Sequence, residues 1–252
     1  MLSKDTLKAL KDADPDRYRS ALFADDTQRD DLHLLYAFHY ELAKVPELVS
    51  EPMIGHIRYQ WWRDCIDEIY SKGTKPVRKH EVSTPLAELL ISKAVPRFWV
   101  DRLIDGRARD LDPEPFKSVK QASDYCAQTS GVLMQIAVHI VGGEGDDTVL
   151  KAGQAWGLTG LVRGWGYYTD GVLSKLTYED ICAAAQKDYI EAHQALGVVP
   201  ATVLPAIVYA TLVPKFLKRL TQSGHEPAKN MVSYAPVLKQ LRLMRAVLSG
   251  RV

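Results

Sequence analysis

Apolar positions recur at helical spacing through most of this chain. Over residues 34–49, Leu34, Leu35, Ala37, Phe38, Leu42, Val45 and Val49 form a wide apolar stripe, which predicts a helix. Pro46 kinks that run or ends its regular part early. Ser50-Glu51-Pro52 then breaks it, and Pro52 is placed to open a second helix carrying Ile54, Ile57, Trp61, Trp62, Ile66 and Ile69. Two adjacent tryptophans on one helix do not both face water, so at least one belongs to a core or an interface. Upstream, Asp14-Pro15 predicts a helix start with Asp14 as cap, and Asp25 or Asp26 caps the next. Downstream, a polar loop over 72–84 precedes a Leu- and Ile-rich helix after Pro85. Pro96 opens another helix with Phe98, Trp99, Leu103 and Ile104. Residues 118–141 read as one helix, where Gly131 costs about 1 kcal/mol relative to alanine and so implies close packing on a neighbour. The apolar run 200–220, cut by Pro205 and Pro214, predicts a kinked core helix or two short ones. A last helix, 236–248, carries Lys239, Arg242 and Arg245 as a basic stripe. The pattern is all-α.

Composition narrows the function classes. The chain has 252 residues, is 46% hydrophobic and 25% charged, and carries a formal charge of +1, so no global charge argues for nucleic acid or an acidic membrane surface. No run of about 18 apolar residues predicts a transmembrane helix. The first residues are too acidic for a usual mitochondrial presequence and contain no secretory apolar region. Cys65, Cys126 and Cys182 are scattered without metal-ligand spacing and read as buried or free thiols.

The candidate chemistry is thin. Asp25, Asp26, Asp30 and Asp31 resemble a metal motif but fit helix capping and the helix dipole better. His139 has no partner at metal spacing and reads as a satisfied polar residue. The Gly142 to Asp147 turn lacks both the ligands of a calcium loop and the Lys-Ser/Thr of a P-loop. Asp105, Arg107, Arg109 and Asp110 read as ion pairs on a solvated face. The basic stripe of the last helix reads as a solvated face, or else as a docking surface for an acidic partner or anionic lipid headgroups.

Several longer patterns coincide. They are Asp-Pro-Asp-Arg-Tyr at 14–18, Ala-Leu-Phe-Ala at 21–24, Tyr-Ala-Phe at 36–38, Glu-Leu-Ala at 41–43, Val-Ser-Glu-Pro at 49–52, Gly55, Ile57-Arg58, and Gln-Trp-Trp-Arg at 60–63. Together they resemble the squalene/phytoene synthase family, and within it a divergent branch that includes an assembly factor of mitochondrial respiratory complex I and alphaproteobacterial relatives. The resemblance implies an isoprenoid-synthase-like helical bundle forming a single domain over 1–252. Active members condense two prenyl diphosphates, with Mg²⁺ bridging the diphosphates to carboxylates on two aspartate-rich helices. Counting from Tyr36, the first motif falls on Ala43, Lys44 and Glu47. The second follows Arg163 and falls on Gly164, Tyr167 and Tyr168, with Asp170 as an isolated acid. One carboxylate among six positions is a poor set for a hard cation. The Arg-Tyr-Leu-Pro element that follows the second motif in the family is also absent, and the loop to Tyr178 is short.

The resemblance therefore implies a non-catalytic protein with no catalytic residue, metal or cofactor. The expected role is accessory subunit or assembly factor of a mitochondrial respiratory-chain complex, complex I first, on the matrix side of the inner membrane. The cytoplasm of an alphaproteobacterium is the alternative setting. Expected partners are protein subunits, met through Trp61, Trp62, Lys239, Arg242 and Arg245, with Tyr167 and Tyr168 as further surface aromatics. A lipid or isoprenoid in a vestigial pocket is a further candidate partner, and nucleic acid is not. Two other readings stay open: a Mg²⁺-dependent prenyl diphosphate condensing enzyme using displaced carboxylates Glu41, Glu47 and Asp170, and a lipid- or quinone-tail-binding protein.

Overall fold

Helix starts follow the capping chemistry written in the sequence. A computed structural model describes residues 2–71, 76–111, 114–168, 170–222, 225–227, 229 and 232–252; positions 72–75 of the predicted polar loop lie outside these. In chain order the helices are α1 (Lys4–Ala13), α2 (Pro15–Ala21), α3 (Asp26–Ala43), α4 (Pro52–Ile69), α5 (Ser83–Ser92), α6 (Arg97–Ala108) and α7 (Val119–Cys126). They continue with α8 (Val132–Ile140), α9 (Asp147–Arg163), α10 (Trp165–Tyr168), α11 (Tyr178–Leu196), α12 (Leu204–Ile207), α13 (Val213–Leu220) and α14 (Pro236–Ser249). No strand occurs among the described residues. Asp14 and Asp25 accept hydrogen bonds from the backbone N–H of Arg17 and Gln28, and Asp146 does the same for Val149. Each such cap is worth about 1 kcal/mol. Pro15, Pro52 and Pro236 sit in the first turns of α2, α4 and α14, where a missing N–H costs nothing.

The interruptions are equally local. α3 ends at Ala43, and Pro46 lies in a 3₁₀ turn, Val45–Leu48. α7 and α8 form one rod joined by a π-helical bulge, Ala127–Gly131, whose Thr129 hydroxyl donates to the Tyr125 carbonyl. The proline-cut run becomes α12, a buried 3₁₀ segment Val208–Leu212, and α13. The Ser20 hydroxyl donates to the Pro205 carbonyl at 2.7 Å and ties α2 to this corner.

The core is built around α9, which packs against α7, the π bulge, α8, α11 and α13. Small residues make that approach possible. A Cβ on Gly153 would stand 2.6 Å from the Ser130 carbonyl oxygen and 2.7 Å from the Gly131 Cα, and one on Gly131 would stand 2.9 Å from Leu150. The rest is aromatic and aliphatic packing, such as Trp156 edge-on to Tyr209 at 5.2 Å. The apolar core draws on the chain from Leu10 to Val252. All three cysteines are free and buried, and burial pushes their thiols up, Cys65 to about 12 and Cys182 to about 11.

One buried charge cluster closes the two ends of the chain together. Lys239 on α14 is 5% exposed and donates to both Asp16 carboxylate oxygens, at 2.7 and 3.0 Å. Arg163 at 3.7 Å and Arg19 at 3.9 Å flank the same carboxylate. This corrects the expectation of a solvated basic stripe. Lys239 faces inward because a buried carboxylate needs a cation beside it, and α14 turns accordingly.

Two predictions follow from this packing. Gly153→Ala should destabilise the fold by about 1–3 kcal/mol, since backbone atoms cannot yield. Gly160→Ala, on the open face of α9 with nothing near its added methyl group, should stabilise by up to about 1 kcal/mol. Urea midpoints of the two variants moving in opposite directions is the expected result. Separately, Lys239→Met should cost about 3 kcal/mol by stranding Asp16, and adding Asp16→Leu should recover most of that loss in the same measurement.

Candidate functional site

The two predicted motif segments sit at the C-terminal ends of α3 and α9. Ala43 ends α3, and Lys44 caps it. The Lys44 ammonium pairs with Glu41 at 2.5 Å and lies 5.4 Å from the Tyr40 ring centroid. Glu47 is exposed in the 3₁₀ turn. Gly164 caps α9, and the Tyr168 ring covers it so closely that a Cβ there would stand 2.9 Å from the ring. Tyr167 points outward, 78% exposed, with its ring edge-on to Tyr168 at 4.9 Å. Asp170 is exposed. Two solvated carboxylates, Glu47 and Asp170, a paired ammonium and two phenols are a poor match to Mg²⁺, which takes near-octahedral oxygen ligands. Among the described residues no three His, Cys, Asp or Glu side chains converge as a metal-ion set.

Beside these positions lies a polar cluster that the sequence pattern places on a solvated face. Arg107 of α6 is instead largely covered, its side chain 16% exposed. One of its terminal nitrogens donates to Asp110 at 3.2 Å and to the Tyr125 hydroxyl at 3.0 Å. Its other terminal nitrogen meets His39 Nε2 of α3 at 2.8 Å. The Tyr125 hydroxyl donates to Asp110 at 2.7 Å. An arginine keeps its charge at any physiological pH, so His39 Nε2 must be the acceptor and the ring carries its proton on Nδ1. Burial holds the His39 pKa well below its ordinary value, with Arg107 and Arg17 adding to the effect. Nearby, Arg17 pairs with Asp14 at 2.7 Å and lies 5.1 Å from the Tyr209 ring centroid. The interior next to the motif positions is thus furnished with arginines and tyrosines. Of the other residues in that predicted group, Asp105 keeps its solvated setting, bound to Arg63 at 2.7 Å, and Arg109 donates to the Glu114 carbonyl at 3.0 Å with its guanidinium 4.0 Å from the Phe116 ring centroid.

The candidate interface residues separate on inspection. Trp62 is 3% exposed, edge-on to Phe38 at 5.1 Å, and belongs to the core. Trp61 is half-buried, edge-on to Trp62 at 4.9 Å and to His80 at 5.3 Å. Arg242 donates to the Thr211 carbonyl at 2.6 Å, and Arg245 is exposed. A groove of about 320 Å³ lies between the 3₁₀ turn and α4, lined by Lys44, Val45, Leu48, Ile57, Arg58 and Trp61 among others. Its lip is an apolar ridge of Leu48, Met53, Ile54 and Ile57, the last 63% exposed. Of the apolar residues the sequence places on this helix, Ile54 and Ile57 are exposed, and the core face is Gly55, Tyr59, Trp62, Cys65, Ile66 and Ile69. A larger cleft of about 550 Å³ between α1, α3 and α5 is lined by the N-terminal half of α3, away from Ala43 at the helix's other end, and its Asp31 and Lys93 pair with each other at 3.1 Å.

Residues 10–171 match the squalene/phytoene synthase family over more than half the chain. The chain belongs to the squalene/phytoene synthase family. Its fold is that of the family's enzymes: a dehydrosqualene synthase structure superposes with a TM-score of 0.75 at 14% identity, covering 97% of this chain and 94% of that one. A squalene synthase from Alicyclobacillus acidocaldarius superposes with a TM-score of 0.70 at 14% identity, over 86% of this chain and 92% of that one. In sequence, the chain is 26% identical over 195 residues to a Homo sapiens protein named NADH dehydrogenase (ubiquinone) complex I, assembly factor 6, covering 75% of this chain and 57% of that one. A homolog of that factor from Dictyostelium discoideum is 24% identical over 174 residues, covering 67% of this chain and 47% of that one. This squalene/phytoene synthase family member therefore spans about half the length of those relatives.

The buried neutral His39 has a measurable consequence. Its unfolded counterpart titrates near pH 6.5, so below that pH the unfolded state binds more protons and stability falls as pH falls, with a limiting slope of about 1.4 kcal/mol per pH unit. His33, also lowered by burial, contributes in the same direction. His39→Gln keeps an acceptor for Arg107 and removes the titration, so its stability should drop less between pH 7 and about pH 5.5 than that of the parent, read from urea midpoints.

Proposed function

We propose that this chain is a non-catalytic member of its family that serves as an assembly factor or accessory subunit of a respiratory-chain complex, complex I first. The observation that carries this reading is the similarity, over three quarters of the chain, to proteins named as complex I assembly factors. The donor set at Ala43, Lys44, Glu47, Gly164, Tyr167 and Tyr168 supports it, because a diphosphate condensation through Mg²⁺ needs clustered oxygen ligands. The groove beside α4 supplies the means. An apolar ridge next to a half-buried tryptophan and rimmed by Lys44, Glu41 and Arg58 is the composition of a protein-docking patch. The setting is the matrix side of the mitochondrial inner membrane, or the cytoplasm if the source is an alphaproteobacterium. No described helix is long and apolar enough to cross a membrane.

Native electrophoresis of gently solubilised membranes tests the reading. Migration with subcomplexes of complex I, and not with the mature complex, is the expected outcome for an assembly factor; migration with the mature complex makes the chain a permanent subunit. A free species that forms a Mg²⁺-dependent condensation product from prenyl diphosphates would overturn the proposal. Ile57→Glu together with Leu48→Glu should abolish comigration. Both positions are exposed, so the thermal midpoint should move by no more than a few degrees.

A further inference from the structure

Helix α14 is turned inside out relative to an ordinary surface helix. Its inner face holds Lys239, Leu243 and Ala246. Its outer face carries Val237, Leu241, Met244 and Leu248, spaced four, three and four residues apart and therefore aligned in one stripe. Leu241 is 57% exposed and Leu248 86%. Leu238 widens the stripe on one side. Beyond the helix end, Gly250 in the left-handed conformation turns the chain so that its carbonyl accepts from the Val199 N–H at 2.8 Å, and exposed Val198 lies beside it. The apolar strip thus continues past the helix.

Along the helix and its flanking residues the side-chain charge has one sign. From Val232 to Val252 there are four cations, Lys239, Arg242, Arg245 and Arg251, and no carboxylate. Lys239 is committed to Asp16, while Arg245 and Arg251 are exposed. At the other end of the helix Tyr234 brings α13 alongside, with Lys215 at 4.4 Å and Arg219 at 5.7 Å from its ring centroid, and Lys218 beside them is exposed. The protein as a whole is close to neutral, so this is a local arrangement.

We propose that α14 is a membrane-docking helix that lies in the interface of an anionic lipid bilayer. An exposed aliphatic stripe on a segment that carries cations and no acidic side chain is complementary to acyl chains below and phosphate headgroups beside it. A protein hot spot instead draws on aromatic anchors and paired polar groups, and the ridge has neither. Self-association through α14 would set Arg245 and Arg251 of two copies against each other with no carboxylate on the helix to meet them. This surface rests on α14 and its margin, independent of the assembly role: a chain that docks on vesicles yet never meets complex I keeps this proposal and loses the other.

The test is co-sedimentation of the full chain with vesicles of phosphatidylcholine alone and of phosphatidylcholine containing about 30 mol% phosphatidylglycerol, at low and high salt. Binding to the anionic vesicles, weakened by salt and at least tenfold weaker without the anionic lipid, is the expected result. Leu241→Asp with Leu248→Asp should lower that binding by tenfold or more with an unchanged circular dichroism spectrum, and Arg245→Gln should lower it by about fivefold. Absence of binding, or equal binding by the Leu241→Asp/Leu248→Asp variant, overturns the proposal. So does a dimer in size-exclusion chromatography that the same variant dissolves, which would assign the face to a second copy. Loss of complex I subcomplex comigration by this variant without any vesicle binding would assign it to a protein.

Discussion

A single carboxylate sets the orientation of the last helix. Asp16 is buried, and burying a carboxylate without a partner is costly, so the fold brings cations to it. It brings Arg19 from its own helix, Arg163 from the end of α9 and Lys239 from α14, across 223 residues of chain. Phe216 lies under both Arg163 and Lys239, with its ring centroid 4.1 Å and 5.4 Å away, so the cations are held against an aromatic face as well as by charge. Once Lys239 is fixed inward, helical geometry leaves no freedom for the residues half a turn away. Leu241, Met244 and Leu248 must face out. The exposed apolar strip on α14 is therefore a consequence of the buried ion pair, and a helix rotated to hide its leucines would leave Asp16 with two distant arginines.

Similar reasoning applies where the family places its metal-binding aspartates. Two divalent-metal motifs facing one another need many carboxylates, and those carboxylates need the metal to balance them. This chain has a different balance there. Lys44 already has Glu41, and His39 accepts from Arg107, which in turn holds Asp110 and Tyr125. These charges are met by protein groups, and Tyr168 occupies the space over Gly164. A polar interior of this kind fixes the relative positions of α3, α6 and α7 through directional bonds.

Much of the fold was legible in the sequence because its signals are local. Asp14, Asp25, Pro52 and the paired prolines of the 200–220 run act within one helical turn, and the structure starts and breaks helices where they stand. Gly131 inside a helix correctly implied close approach, since α9 passes within contact of it. What was not legible is which way a charged residue points. Lys239, Arg242 and Arg245 share helical spacing, yet the first is buried, the second half-buried and the third exposed. Arg107 looked like its solvated neighbour Asp105 for the same reason. The deciding partners, Asp16 and His39, are far away in sequence, and periodicity carries no information about them. Ile54 and Ile57 mislead in the opposite direction: they belong to an apolar pattern, but the opposite face of α4, with Tyr59 and Cys65, is the one packed inside.

The two exposed apolar faces differ in ways that assign them to different occupants. The face beside α4 is concave, walled by Trp61 and His80, and carries both signs of charge in Lys44, Glu41 and Arg58. Mixed charge and an aromatic wall can discriminate among partners, because a wrong partner leaves some of those groups unpaired. The face of α14 is an exposed aliphatic stripe, and the segment that bears it carries cations and no acidic side chain. It offers no group whose satisfaction depends on a partner's detailed shape, which is a weakness for recognising a protein and no weakness on a lipid surface, where headgroups rearrange to meet each cation. The two proposed roles, selectivity at α4 and adhesion at α14, are compatible in one small helical bundle, since the buried Asp16–Lys239 pair exposes an apolar stripe while Leu243 and Ala246 on the same helix stay in the core.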